Sequence, residues 1–352
     1  MPLFEKPMGY FRPNIEAMTG YVPGEQLVGD YIKLNTNENP YPPSPKVLEA
    51  LRSAVGESLR RYPDPMATLL REAAARLYGV STDMVLCGNG SDDLLTIIVR
   101  AFVGESDTLV SPQPSYLLYR TLAEIQGARY RAVDFPEDYS LPPALVTTPA
   151  KVTFLANPNS PSGTFIPVSE VESLARTLSH ILVIDEAYVD SASQNAMALV
   201  HKYPNVIVLR TLSKAYSLAG LRVGLAVAQP QLIAGLVKVK DSYNVDALAN
   251  VAGAAALGDQ AYLKECVAKI LRERAYLGRE LSALGLKVYS SQANFVMARL
   301  GRPRALRVQE ELKQRRILVR HYDVPGVQDC LRITVGTHEQ MERVLDELKK
   351  LL

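Results

Sequence analysis

Residues 181–222 read ILVIDEAYVDSASQNAMALVHKYPNVIVLRTLSKAYSLAGLR. Two short apolar runs, ILVID (181–185) and NVIVLR (205–210), break off into polar residues, EAY after the first and TLSKAYSLAGLR after the second. A strand that is apolar along its whole length is buried on both faces, as in a parallel sheet covered by helices. Similar runs stand at MVLC (84–87), DTLV (107–110), ARYRAV (128–133), KVTFLA (151–156) and RVGLAVA (222–228). Amphipathic segments such as DDLLTIIVRAF and VSEVESLARTL lie between several of them. The alternation predicts an α/β fold with a mainly parallel sheet and helices on both of its faces.

The flanks have a different texture. Residues 1–43 are rich in Pro, Gly, Asn and Tyr (GYFRPN, GYVPGE, NTNENPYPP) and predict an irregular arm that needs something to pack against. Regular structure starts at Ser44-Pro45, a helix cap and first turn, followed by Val47, Leu48, Leu51, Val55 and Leu59 at helical spacing. Beyond residue 245 come long Ala- and Leu-rich helices, then short strands near LKVYS, NFVMARL, ILVR and LRITV, and a closing helix, EQMERVLDELKKLL. This part predicts a smaller α+β domain joined to the large one by a long helix.

The chain has 352 residues, 47% hydrophobic and 22% charged, with a net charge of +2. Such a composition excludes a disordered chain and gives no sign of a nucleic-acid or membrane-surface protein, while leaving room for a local basic pocket. Cys87, Cys266 and Cys330 are too few and too scattered for a disulfide framework or zinc knuckle, and the four histidines are not clustered. No metal site is expected. Neither an apolar signal region nor an 18-residue uncharged apolar stretch is visible, so a cytoplasmic setting is the default expectation.

In an open parallel sheet, ligands bind at the carboxyl ends of the strands. The residues just past each run therefore carry information: GNGSDD after MVLC, NPNSPSG after TFLA, EAY after ILVID and TLSKAYSLAGLR after NVIVLR. Gly88-Asn89-Gly90-Ser91-Asp92 lies between a strand and a helix expected to start near Asp93, where free backbone N–H groups suit an anion. It reads either as a phosphate cup or as a plain capped turn. A dinucleotide fingerprint is a poorer match, because position 93 is Asp and the next strand ends in Val110-Ser111 with no acidic residue. Asp185 ends a buried strand and needs a partner, either a structural cation or a ring nitrogen that it keeps protonated. Tyr188 can aim a phenol into the same crevice. Lys214, at a strand end beside the anion site, is a surface lysine or a Schiff-base former. Arg222 offers a bidentate donor suited to phosphate. Asn157, held extended before Pro158, serves a turn or a site.

Asn157, Asp185, Lys214 and Arg222 succeed one another at intervals of 28, 29 and 8 residues, and the set resembles the fold-type-I pyridoxal-phosphate aminotransferases. LNTNENPY, RYPDP, GNGSDD, DEAYVD, ANFV and LRITVGTHEQ, in that order, resemble the histidinol-phosphate aminotransferase branch of that family, from about residue 9 onward. The chain departs from the usual pattern at Gly90-Ser91-Asp92-Asp93, at Tyr216-Ser217 and at Asn159-Ser160-Pro161-Ser162-Gly163.

The resemblance implies a large cofactor domain at residues 37–258, a small α+β domain at 259–352 and an arm at 1–36 lying with the small domain over the substrate site. Lys214 would hold pyridoxal 5'-phosphate and shuttle the substrate's proton, while Asp185 would keep the ring nitrogen protonated. Asn157 and Tyr188 would bond the ring oxygen, and Tyr116 would stack on the ring. Gly90, Ser91, Asp92, Ser213 and Arg222 would surround the phosphate. Tyr62 would reach it from the partner chain of a homodimer. Tyr21, Asn37, Tyr243, Arg320 and Arg332 would line the substrate pocket, the two arginines on its anionic end. The implied reaction converts L-histidinol phosphate and 2-oxoglutarate to imidazole-acetol phosphate and L-glutamate, in histidine biosynthesis. Alternatives on the same scaffold are an aromatic amino-acid aminotransferase and a threonine-phosphate decarboxylase. From other classes come a nucleotide-binding dehydrogenase and a non-catalytic ligand-binding module.

Overall fold

The computed structural model describes residues 9–301 and 304–352, so the first eight residues of the arm lie outside the described part. Seven strands form the large sheet: β1 (Val85–Asn89), β2 (Thr108–Gln113), β3 (Arg129–Asp134), β4 (Val152–Ala156), β5 (Ile181–Asp185), β6 (Val206–Thr211) and β7 (Val223–Ala228). Their order is β1-β7-β6-β5-β4-β2-β3. The pairs from β6 across to β3 are parallel, while β7 runs antiparallel to both β1 and β6. The connection explains the reversal at β7. Residues 212–222 hold only a short 3-10 turn, too little chain for the crossover that a parallel strand requires.

Alternate residues of each strand enter opposite cores. Leu182 and Ile184 of β5, with Val206 and Val208 of β6, face a cluster that includes Leu70 and Leu155; Val183, Ile207 and Leu209 face Leu95, Tyr119 and Phe154 on the other side. This two-sided burial is why the strands read as unbroken apolar runs. The mainly parallel, helix-covered sheet expected from the sequence is what forms.

Two local expectations change. Gly88 and Asn89 continue β1, paired with Gly224 and Val223, and the next helix begins at Ser91 rather than near Asp93. The turn thus shrinks to Gly90, whose φ of +82° favours glycine. The first long helix, Pro45–Ala54, is capped by the Ser44 side chain as expected, but Val55 and Leu59 lie beyond its end and stay exposed.

After the helices Ala247–Leu257 and Gln260–Ala283, four short strands form an antiparallel sheet: β8 (Lys287–Val288), β9 (Phe295–Arg299), β10 (Arg320–His321) and β11 (Cys330–Thr334), ordered β10-β11-β9-β8. The segment ILVR divides, Ile317–Leu318 pairing instead with Ile32–Lys33 of the arm. Leu34 packs with Leu277, Val296, Leu331 and Val344 in the core of this part.

Register places the strand ends together. Ala156 pairs with Asp185, Asp185 with Leu209 and Thr211 with Gly224, so the ends of β1, β4, β5 and β6 and the start of β7 share one edge. Gly224 is the tightest point. A Cβ there would meet the backbone of Gly90 at 2.5 Å and of Ser91 at 2.6 Å. Gly224→Ala should therefore push apart β7 and the start of the helix at Ser91, costing about 1–3 kcal/mol or more. Denaturant unfolding reads the loss, and an unchanged midpoint would show that the contact yields cheaply.

Candidate active site

The shared edge opens into a cleft of 370 Å³ whose lining includes Ser91, Asp92, Tyr116, Asp185, Tyr188, Ser213, Lys214 and Arg222 from the large sheet's loops, Arg320 and Arg332 from the small sheet, and Tyr21 and Asn37 from the arm.

Asp185 ends β5 with 5% of its surface exposed. Burial pushes its carboxyl upward, while the Tyr119 hydroxyl, donating to Oδ2 at 2.7 Å, and the Ala187 N–H, donating to Oδ1 at 3.1 Å, pull it back. Lys214 lies in the loop after β6, half-buried, its ammonium donating to the Thr36 carbonyl at 3.1 Å and lying 5.7 Å from the centre of the Tyr188 ring. Burial first, then the charge of Arg332, lowers its pKa to about 8. An amine at such a site reaches its neutral, nucleophilic form at lower pH than an ordinary lysine.

One end of the cleft is an anion cup. The 12-residue helix Ser91–Phe102 points its N-terminal N–H groups toward it, and the Arg222 guanidinium reaches Asp92 at 3.4 Å and Ser213 Oγ at 3.5 Å. A Cβ on Gly90 would stand 2.4 Å from that guanidinium, so the bare glycine is what lets the arginine lie there. Tyr116, donating to Asp92 at 3.1 Å, walls the middle of the cleft, and Tyr21 packs edge-on against it at 5.9 Å.

The other end carries the two arginines. Arg332, on β11, is 6% exposed and lies between the rings of Phe295 (5.0 Å) and Tyr322 (5.4 Å). It donates to the Asn35 carbonyl at 2.7 Å and to Ser160 Oγ at 3.2 Å, while its Nε has no partner. A buried guanidinium with a free N–H is prepared for an anion. Arg320 stacks on Tyr322 at 5.2 Å and donates to the carbonyls of Val22 and Pro23. Asn37 donates to the Tyr188 hydroxyl at 2.9 Å.

Residues 29–348 match the family described as aminotransferase class I and II. The chain belongs to that family. Relatives include "Histidinol-phosphate aminotransferase 1" of Trichormus variabilis, 49% identical over 97% of this chain and 99% of that protein, and histidinol-phosphate aminotransferase of Geobacter sp. strain M21, 48% identical over 97% and 98%. Among solved structures, histidinol-phosphate aminotransferase from Sinorhizobium meliloti in complex with pyridoxal-5'-phosphate is similar, with a TM-score of 0.89, 29% identity and 98% of both chains covered.

Tyr62 was expected to serve the partner's cleft, and of the residues expected in this chain's own cleft, Asn157, Gly90 and Tyr243 are not among its lining. Asn157 does not face it: its amide donates to the Ile166 carbonyl at 2.9 Å and accepts the Ile166 N–H at 2.8 Å, tying the loop to itself. Of that loop, Pro158 and Ser160 line the cleft. Tyr62 and Tyr243 stack on each other at 4.5 Å but are 82% and 46% exposed and lie outside the cleft lining. Sequence reasoning also passed over Tyr119, Tyr322 and Asn35. Tyr119 had a signal as a second tyrosine close to Tyr116 in PSYLLY.

The low Lys214 pKa is testable. In cofactor-free protein, an amine-directed reagent should label Lys214 with a midpoint near pH 8, where ordinary lysines need about 10.5. The native state releases this proton at lower pH than the unfolded chain, so stability should rise with pH between these values. Lys214→Met should flatten that rise. Labelling with a midpoint near 10.5 would contradict the burial argument.

Proposed function

We propose that this chain transaminates L-histidinol phosphate with 2-oxoglutarate, giving imidazole-acetol phosphate and L-glutamate, using pyridoxal 5'-phosphate. The observation that carries this reading is one cleft holding Lys214, Asp185 and an anion cup at one end and the paired Arg320 and Arg332 at the other. Full-length similarity to histidinol-phosphate aminotransferases supports the substrate.

The residues fit the cofactor on three grounds. An amine of lowered pKa faces the cleft, a buried carboxylate lines the same wall, and the bare Gly90 lets Arg222 lie at the anion cup beside the helix N-terminus. Pyridoxal phosphate, when bound, supplies an aldehyde carbon for the amino group and a ring that accepts the electrons released at the substrate's α carbon. Ser91, Asp92, Ser213 and Arg222, with the backbone at Gly90, would hold its phosphate, and Tyr116 would face the ring. Asp185 would hold a proton on the ring nitrogen. Tyr188 would bond the ring oxygen, with Ser160 as the loop residue on that side. Lys214 Nζ would anchor the cofactor and, when free, would carry a proton between the substrate's α carbon and the carbon across the nitrogen from it. Arg332 and Arg320 clamp the substrate's phosphate in one half-reaction and a carboxylate in the other.

The division at residues 36 and 258 is proposed with the function. The packing of Leu34 into the small-domain core supports it. We place a second copy of the chain against the face bearing Tyr62, where Val55, Leu59, Leu69 and Tyr243 are also exposed, so that Tyr62 reaches the partner's anion cup. Cys87, Cys266 and Cys330, buried and unpaired, suit the reducing cytoplasm. Among the described residues no helix is long and apolar enough to cross a membrane.

Turnover decides the reading. Purified enzyme should form imidazole-acetol phosphate from histidinol phosphate and 2-oxoglutarate. Activity confined to phenylalanine or tyrosine, or carbon dioxide release from O-phosphothreonine, would reject this reading in favour of the other scaffold chemistries. Arg332→Ala should raise KM for histidinol phosphate and for glutamate by roughly 30- to 1000-fold, as expected for a lost bidentate charge pair. A rise for one substrate alone would mean that the anions bind apart. Lys214→Ala and Tyr62→Phe chains, each impaired alone, should recover activity when mixed; no recovery would place each site within a single chain.

A further inference from the structure

Tyr119 stands beside the cleft with no exposed surface, and no step of the proposed transamination uses it. It lies in the first turn of the helix Leu118–Gln126. Its ring stacks on Phe154 of β4 at 4.7 Å, nearly parallel, and meets the Tyr116 ring edge-on at 5.6 Å. Those two contacts fix the hydroxyl, which donates to Asp185 Oδ2 at 2.7 Å. Burial and the neighbouring carboxylate push its own ionisation far up, so it stays a donor.

The chemistry of the donor matters. Glu186 and Asp190, close to Asp185 in sequence, are paired with the Arg210 cation at 2.8 and 3.4 Å. Asp185 itself receives its hydrogen bonds from neutral groups, the Tyr119 hydroxyl and the Ala187 N–H. A cation would cancel the carboxylate's charge. A neutral donor instead lowers the carboxylate's proton affinity and leaves the charge free to act on a third group.

We infer that Tyr119 is a positioning residue that, through this hydrogen bond, keeps Asp185 anionic and aimed at the cofactor's ring nitrogen. This role rests on the proposed function, in which Asp185 holds the ring proton. Without the hydroxyl, the shared proton moves from the ring nitrogen toward the carboxylate, and the ring draws electrons less well. The stacked rings extend the effect: Tyr116, which walls the cleft, and Tyr119, which holds the carboxylate, brace one another.

Tyr119→Phe deletes one oxygen and keeps both stacking contacts. It should lower kcat by roughly 10- to 100-fold, with KM for the anionic substrates changed by less than about threefold, as for a lost bond to a charged group. With ring-¹⁵N cofactor, the nitrogen resonance should move toward its unprotonated position. With a cofactor analogue carrying CH in place of the ring nitrogen, variant and parent should be equally active, because no proton remains for Asp185 to hold. An unchanged kcat and resonance, or the same loss with both cofactors, would overturn the inference. Asp185→Asn, measured alongside, separates the two levels. If it too leaves kcat and the resonance unmoved, the role given to Asp185 fails, and with it that of Tyr119. Should Tyr119→Phe not fold, 3-fluorotyrosine at position 119 decides instead. Its stronger donor should keep kcat and hold the resonance at the protonated end, and a loss of kcat with a shift to the unprotonated end would overturn the proposal.

Discussion

A negative charge at the carboxyl end of an otherwise apolar strand is the constraint around which this molecule is arranged. ILVI of β5 is buried on both faces, and Asp185 comes next with almost no contact with water. A carboxylate so placed is costly unless hydrogen-bonded. The hydroxyl of Tyr119 and the N–H of Ala187 supply those bonds without neutralising it. The residual charge has to be satisfied from the cleft side.

Opposite that charge the cleft is rich in cations. Arg222, Lys214, Arg320 and Arg332 all line it, and desolvation, joined by repulsion from the arginines, is why Lys214 gives up its proton early. Arg222 tempers this at one end by contact with Asp92, and Arg332 at the other by stacking between Phe295 and Tyr322. Two separated cationic ends with a neutral-tending amine between them suit a pair of anionic groups that are brought together across a reacting centre. A nucleotide-binding dehydrogenase needs no such lysine.

The sequence made legible whatever depends on local order. Strands β4, β5 and β6 declared themselves because two-sided burial leaves almost no polar residue inside them, and the polar residues at their ends marked the site. Chain direction at β7 was hidden, since the same apolar run serves a parallel or antiparallel strand and only the short connection decides. Side-chain direction was hidden too. Asn157 stands in a motif that suggested the cleft, yet the loop turns so that its amide meets Ile166 and Ser160 faces inward. Val55 and Leu59 kept helical spacing past the point where the helix stops, so their exposure reflects chain geometry rather than composition.

The arm shows how distant segments become one site. Gly24 lies so close to Thr36 that a Cβ would sit 2.4 Å from its methyl group, and Asn35 donates to the Glu25 carbonyl. Arg320 then holds the carbonyls of Val22 and Pro23, which brings Tyr21 against Tyr116. A guanidinium has five N–H donors, so these two bonds leave others for a ligand. The residue that fastens the arm over the cleft therefore also presents charge to whatever enters it. Arg320 thus joins the arm to the wall of the cleft.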